Sequence, residues 1–81
     1  MVTVLYFASI REAVQCREEQ IELNETHSSI SDLRDLLLLR HPNVLLLKTI
    51  QVAVNEVYVH DETRILISSD AIAFIPPISG G

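Results

Sequence analysis

Glycine is scarce in this chain. Average usage of about 7% would place roughly six in 81 residues, yet there are two, and both stand at the end as Gly80-Gly81. The single cysteine, Cys16, excludes an internal disulfide, and His27, His41 and His60 are scattered without the spacing of metal ligands, so no metal is expected. No glycine-rich loop is present to cradle a phosphate. Basic residues are also few: six Lys+Arg against eleven Asp+Glu give a formal charge of −5, the wrong sign for a phosphate backbone or an anionic lipid surface. Neither nucleic acid nor membrane is an expected partner. No apolar run approaches the roughly 18 residues of a membrane span. The opening Met1-Val2-Thr3-Val4-Leu5 lacks the basic start and small-residue cleavage site of a secretory signal, and the expected location is cytoplasmic.

What remains is a small apolar chain. With 48% apolar and 21% charged residues it is too hydrophobic for disorder, and 81 residues suffice for one domain only. Domains this small bury about 60% of the surface their unfolded chains expose, so partner contacts are expected to matter.

Val2-Thr3-Val4-Leu5-Tyr6-Phe7 is rich in β-branched and aromatic residues and predicts a first strand packed, or half packed, on both faces. Ser9-Ile10-Arg11-Glu12 fits a capping box and predicts a short helical turn through Val14. From Arg17 to Leu23, Glu19, Ile21 and Leu23 alternate with Gln20 and Glu22, as suits an outer strand of an antiparallel pair. Asn24 to Ser28 is a polar connector. Ser29-Ile30-Ser31-Asp32 then gives a second capping signature ahead of the main helix, Leu33 to His41, which Pro42 stops. Ile30, Leu33, Leu36 and Leu37 form its buried stripe, and Leu38 or Leu39 is expected to pack under Val44-Leu45-Leu46-Leu47. Gln51 to Val54 and Val57 to Val59 predict a hairpin turning at Asn55-Glu56. Ile65-Leu66-Ile67 is a further short strand candidate, Ser68-Ser69-Asp70 a turn, and Ala71 to Ile75 a buried last strand. The first and last strands are both apolar enough to be central. The order predicts an α+β fold, a mixed sheet curled over one main helix, the β-grasp arrangement.

Chemistry concentrates in the tail. Pro76-Pro77 cannot extend a sheet ladder and favour an extended arm, and beyond them Ile78 and Ser79 lead to two glycines. An end this narrow suits a channel in another protein. Its reactive group is the carboxylate of Gly81, a poor acyl electrophile until a partner activates it as an acyl-adenylate, from which a sulfur or amine nucleophile displaces AMP. Cys16 lacks an identifiable base and is expected to be a partly buried structural thiol. Glu18 and Glu19 point to opposite strand faces and are expected to be solvated charges; Lys48, the lone lysine, is expected at the surface.

Val4-Leu5-Tyr6-Phe7-Ala8 with Arg11-Glu12, Val52-Ala53-Val54-Asn55, and above all Asp70 to Gly81 resemble the MoaD family of ubiquitin-like sulfur carriers, the small subunits of molybdopterin synthase. The resemblance spans essentially the whole chain. It implies a ubiquitin-like domain over 1–75 and an extended diglycine tail over 76–81. It further implies that Gly81 is adenylated by an enzyme similar to MoeB at the expense of ATP, converted to a thiocarboxylate, and inserted into a large subunit similar to MoaE. The small subunit would bind no cofactor and hold no active site of its own. Two donations would turn cyclic pyranopterin monophosphate into molybdopterin, in a heterotetramer of two small and two large subunits. Ser79 and Gly80 would enter the large subunit with Gly81, and Ile75, Pro76, Pro77 and Ile78 would face it.

Rival readings share the fold: a carrier for thiamine thiazole or tRNA thiolation, a modifier conjugated to lysines, or a binding module whose tail is never modified. Pro76-Pro77 with the Asp70–Ile75 strand favours the molybdopterin type, and the basic residues that precede diglycine in ubiquitin are absent. If the Gly81 carboxylate is the working group, adding one residue after it abolishes sulfur transfer while leaving the melting temperature unchanged, as thermal unfolding beside a transfer assay will show.

Overall fold

Each strand of this chain has one face for the helix and one for the outside, and the register of the sheet shows how they line up. A computed structural model describes residues 1–24 and 26–76. Its elements are β1 (Val2–Tyr6), α1 (Ala8–Val14), β2 (Glu18–Ile21), α2 (Ile30–Arg40), a 3-10 turn (Leu45–Lys48), β3 (Gln51–Val54), β4 (Val57–Val59) and β5 (Ala71–Ile75). The five strands form one sheet in the order β2-β1-β5-β3-β4, with β1 and β5 parallel and the other pairs antiparallel. This is the mixed sheet expected, with β1 and β5 inside it and β2 and β4 at its edges.

On the helix side, cross-strand rows run Val4–Ile72–Val54 and Tyr6–Phe74–Val52. Ile30, Leu33 and Leu37 of α2 close over them, and all nine of these residues are almost fully buried. Burying a side chain of this size stabilises by about 1.5–3 kcal/mol, so this layer is a large part of what holds the fold together. The Ser29 capping box is complete: the Ser29 hydroxyl accepts from the Asp32 N–H at 3.1 Å and the Asp32 carboxylate accepts from the Ser29 N–H at 3.1 Å. These bonds hold the Asp32 carboxyl below its ordinary value, the backbone bond foremost.

Several expectations are corrected. The capping box at Ser9 is not used: α1 starts at Ala8 directly from β1, with Phe7 as N-cap and no side-chain cap. The Phe7 carbonyl accepts from the N–H groups of Ile10 and Arg11, so the strand's own backbone closes the first turn. Ile65-Leu66-Ile67 is not a strand. Its neighbourhood closes the start of α2 instead, where the N–H of Ile30 donates to the Arg64 carbonyl and that of Ser31 to Glu62, while Leu66 alone of the three is buried. Of Leu38 and Leu39, one of which is expected under the Val44–Leu47 segment, it is Leu38 that packs against the core, as does Val44, while Leu39 is 80% exposed. Lys48 is exposed, as expected.

Arg34 ties the helix to three later parts of the chain. Its guanidinium pairs with both carboxylate oxygens of Glu62, at 2.6 and 3.3 Å, and donates to the carbonyls of Leu47 and Ile50. It also lies 5.7 Å from the centre of the Phe74 ring. One side chain thus joins α2 to the 3-10 turn, to the residue before β3 and to the loop before β5.

Glu18 is solvated, but Glu19 is not. Alternation along β2 turns Glu19 toward the helix, where it accepts from the Tyr6 hydroxyl at 2.7 Å, bonds His41 Nε2 at 2.9 Å and pairs with Arg40 at 3.3 Å. Burial alone would raise the Glu19 carboxyl, but the bonds from Tyr6 and His41 and the charges of His41 and Arg40 outweigh it and hold the group below its ordinary 4.5. Burial first, then the bond to Glu19, keeps the Tyr6 phenol protonated far above its usual range. A depressed carboxyl contributes stability that is present above the unfolded-state value of 4.5 and is lost as pH falls through the lower folded value. The melting temperature of the wild-type chain should therefore fall more steeply below about pH 4.5 than that of Glu19→Gln, as thermal unfolding across that window will show.

Candidate functional site

Among the described residues no element covers the face of the sheet turned away from α2. Across it the register sets Leu5, Ala73, Ala53 and Tyr58 in one row. Alanines in the middle strands lower the floor, and bulkier residues stand at the sides: Phe7, 45% exposed, Tyr58, 54% exposed, and Ile75. The result is an open groove of about 570 Å³. Exposed apolar area of this kind, contiguous and walled by aromatics, marks a docking surface.

The groove has two ends. β5 runs from Ala71 to Ile75, and because β1 is parallel to it, Phe7 leaves the sheet beside Ile75. Ile75 and Pro76 are both half-buried at this end. Two of the residues expected at an interface are therefore placed at the groove mouth. The others, Pro77 and Ile78, and the tail residues Ser79, Gly80 and Gly81, lie outside the described residues. Sequence alone did not single out Leu5, Phe7 and Tyr58 for the site, although a first strand apolar on both faces already signalled that one apolar face would be left over.

At the other end sits the β3–β4 turn. Asn55 and Glu56 both have positive φ, 51° and 73°, a turn type in which glycine is favoured and a larger residue is strained. Asn55 compensates with its side chain, whose Nδ2 donates to Asp70 Oδ1 at 2.9 Å and whose Oδ1 accepts from the Ala71 N–H at 2.9 Å. The Asn55 N–H adds a bond to the Ala71 carbonyl at 2.8 Å. Asp70 is buried, and its second oxygen accepts from the Ile67 N–H at 2.9 Å, so the carboxylate is satisfied on both sides. This clamp fixes the hairpin tip to the start of β5.

Chemistry by a side chain finds little support around the groove. Cys16 lies half-buried against the core, and burial, then the charge of Glu19, raises its thiol and disfavours the nucleophilic thiolate. Among the described residues no group of three or more His, Cys, Asp or Glu is placed to hold a metal ion, and no helix is long and apolar enough to cross a membrane.

The family model described as the ThiS family matches residues 4–81, from β1 to the last glycine. The chain belongs to the ThiS family. It is 35% identical over 82 residues to the molybdopterin synthase sulfur carrier subunit of Chlamydomonas reinhardtii, covering 99% of this chain and 98% of that one. The fold is similar to that of SAMP1 from Haloferax volcanii, with a TM-score of 0.83 at 21% identity over 99% of this chain and 98% of that one. It is also similar to a chain in the complex of subunits 1 and 2 of the molybdopterin-converting factor from Helicobacter pylori, with a TM-score of 0.73 at 22% identity over 99% and 97%. At these identities the two structures speak for the fold, the ubiquitin-like β-grasp.

The clamp predicts its own energetics. Asn55→Ala leaves a buried oxygen of Asp70 and the Ala71 N–H without a partner and should destabilise the fold by about 1–3 kcal/mol in urea unfolding. Asn55→Gly, which tolerates the positive φ, should fall between it and the wild type.

Proposed function

We propose that this chain is the sulfur-carrying small subunit of a molybdopterin synthase, and that the Gly81 carboxylate is its working group. The observation that carries the reading is the full-length likeness, through the diglycine end, to a molybdopterin synthase sulfur carrier subunit. The groove supports it, because an apolar docking face ending beside Ile75 and Pro76 gives a partner a hold on the domain next to the origin of the tail. Residues 1–75 act as the handle and 76–81 as the arm.

The chemistry needs no side chain of this protein. A carboxylate oxygen of Gly81 attacks the α-phosphorus of ATP on an activating enzyme of the MoeB type, and pyrophosphate leaves. Hydrosulfide, or a protein-bound equivalent brought to that level by a thiol reductant, attacks the resulting carbonyl carbon and AMP departs, leaving a thiocarboxylate. Inside the large subunit that sulfur attacks a carbon of cyclic pyranopterin monophosphate and displaces the oxygen bonded there, forming a thioester. Water then adds to the Gly81 carbonyl carbon and the acyl carbon–sulfur bond breaks, so that the sulfur stays on the pterin as a thiolate and the tail leaves as a carboxylate. Two charged small subunits supply the two sulfurs of molybdopterin, in keeping with a heterotetramer of two small and two large subunits. A large-subunit partner of the MoaE type is supported by the Helicobacter pylori complex of subunits 1 and 2. The narrow Ser79-Gly80-Gly81 end suits a closed channel, and Ile78, like Ile75, would offer the partner an apolar contact at its entrance. The cytoplasm is the compartment in which we place these steps.

The test is the intact mass of the untagged chain after incubation with an activating enzyme of this type, ATP and a sulfide donor, followed by addition of large subunit and precursor. Replacement of one oxygen by sulfur at Gly81, reversed when precursor is converted, is the expected result. An unchanged mass with an enzyme active on its own carrier would overturn the reading in favour of an unmodified binding module.

A further inference from the structure

Of the nine residues that line the groove, Glu56 alone carries a charge. It occupies the end opposite the tail, on the hairpin tip that Asn55 bonds to Ala71, so that the length of β5 separates a carboxylate at one end from Ile75 at the other. Four residue steps of extended chain span roughly 13 Å. The Glu56 side chain is exposed and makes no ion pair among the described residues.

Local stability does not explain a glutamate here. The second central position of a turn with two positive φ angles is the ordinary place of glycine, and Glu56 is held at 73° by a hairpin that Asn55 clamps to Asp70 and Ala71. A side chain kept where its backbone is disfavoured, at the rim of the apolar groove and on a rigid tip, is placed to meet something.

We propose that Glu56 is a recognition residue for the large subunit, its carboxylate receiving an arginine or lysine as the partner's apolar surface fills the groove. The inference rests on the reading of this chain as the small subunit. Apolar contact along alanines is tolerant of sliding, whereas a charge pair at one end is not, so the pair sets the register of docking along β5. Register in turn sets how far the tail reaches into the partner. A surface without the cation would cover Glu56 and strip its water without replacing it, which turns the residue into a filter against other apolar partners. The overall charge of −5 favours approach of a basic surface from any side; Glu56 makes that preference local to the groove.

The experiment titrates the full-length chain into purified large subunit at low and high salt, as wild type, Glu56→Gln and Glu56→Gly, with thermal unfolding of each free variant. Glu56→Gln should weaken binding about three- to tenfold at low salt, with the gap closing at high salt as the pair is screened. Glu56→Gly should weaken binding as much while raising the melting temperature, because glycine relieves the turn. Wild-type affinity in either variant at low salt would overturn the inference alone. Failure of the wild-type chain to bind the large subunit would overturn the functional reading, and the inference with it.

Discussion

The parallel pairing of β1 with β5 is the constraint on which the rest of the molecule depends. Antiparallel neighbours can be joined by a tight hairpin, but two parallel strands need a long connection, and here nearly the whole chain is that connection. β2, α2 and the β3–β4 hairpin are all set by it: β2 flanks β1, β3 flanks β5, and α2 crosses the face between. The pairing also brings both strands out at the same end of the sheet. Phe7 and Ile75 therefore stand together, and the last described residue, Pro76, leaves from beside an apolar wall that the first strand built.

One sheet serves two purposes because its residues alternate. Val4, Tyr6, Ile72 and Phe74 face α2 and hold the fold together, while Leu5, Ala71, Ala73 and Ile75, interleaved with them, face outward. Alanine on the outer face adds little to stability but leaves depth for another surface. The helix side is secured by polar groups at long reach: Arg34 with Glu62, and Glu19 with Tyr6, His41 and Arg40. Rigidity there lets the outer face stay open without loosening.

Features settled by neighbours in sequence were legible beforehand. The Ser29–Asp32 cap, the hairpin at Asn55-Glu56, the outer position of β2 and the central positions of β1 and β5 all follow from local pattern and apolar content. Features settled by distant residues were not. Nothing near Glu19 in sequence announces that His41 and Arg40 will reach it, and Arg34 meets Glu62 twenty-eight positions on. Ile65 to Ile67 looks like a strand until the start of α2 is seen to need the carbonyls beside it. The site divides in the same way. The working end, Gly80 and Gly81, stands out in composition, and Ile75 and Pro76 follow from adjacency to it. The groove required the register, because Leu5, Ala73, Ala53 and Tyr58 come from four strands and become neighbours only when the sheet forms.

A sheet with an apolar open face and two unpaired edges has the makings of a fibril. In this chain one edge, β2, runs Glu18-Glu19-Gln20-Ile21, and the other, β4, is three residues long. Two β2 edges brought together would set like charges side by side, and two β4 edges would gain few ladder bonds before running out. Added strands are refused at the sides while the flat of the sheet remains open. Both edges thus oppose the addition of a further strand, and the apolar face between them stays available to a different kind of contact.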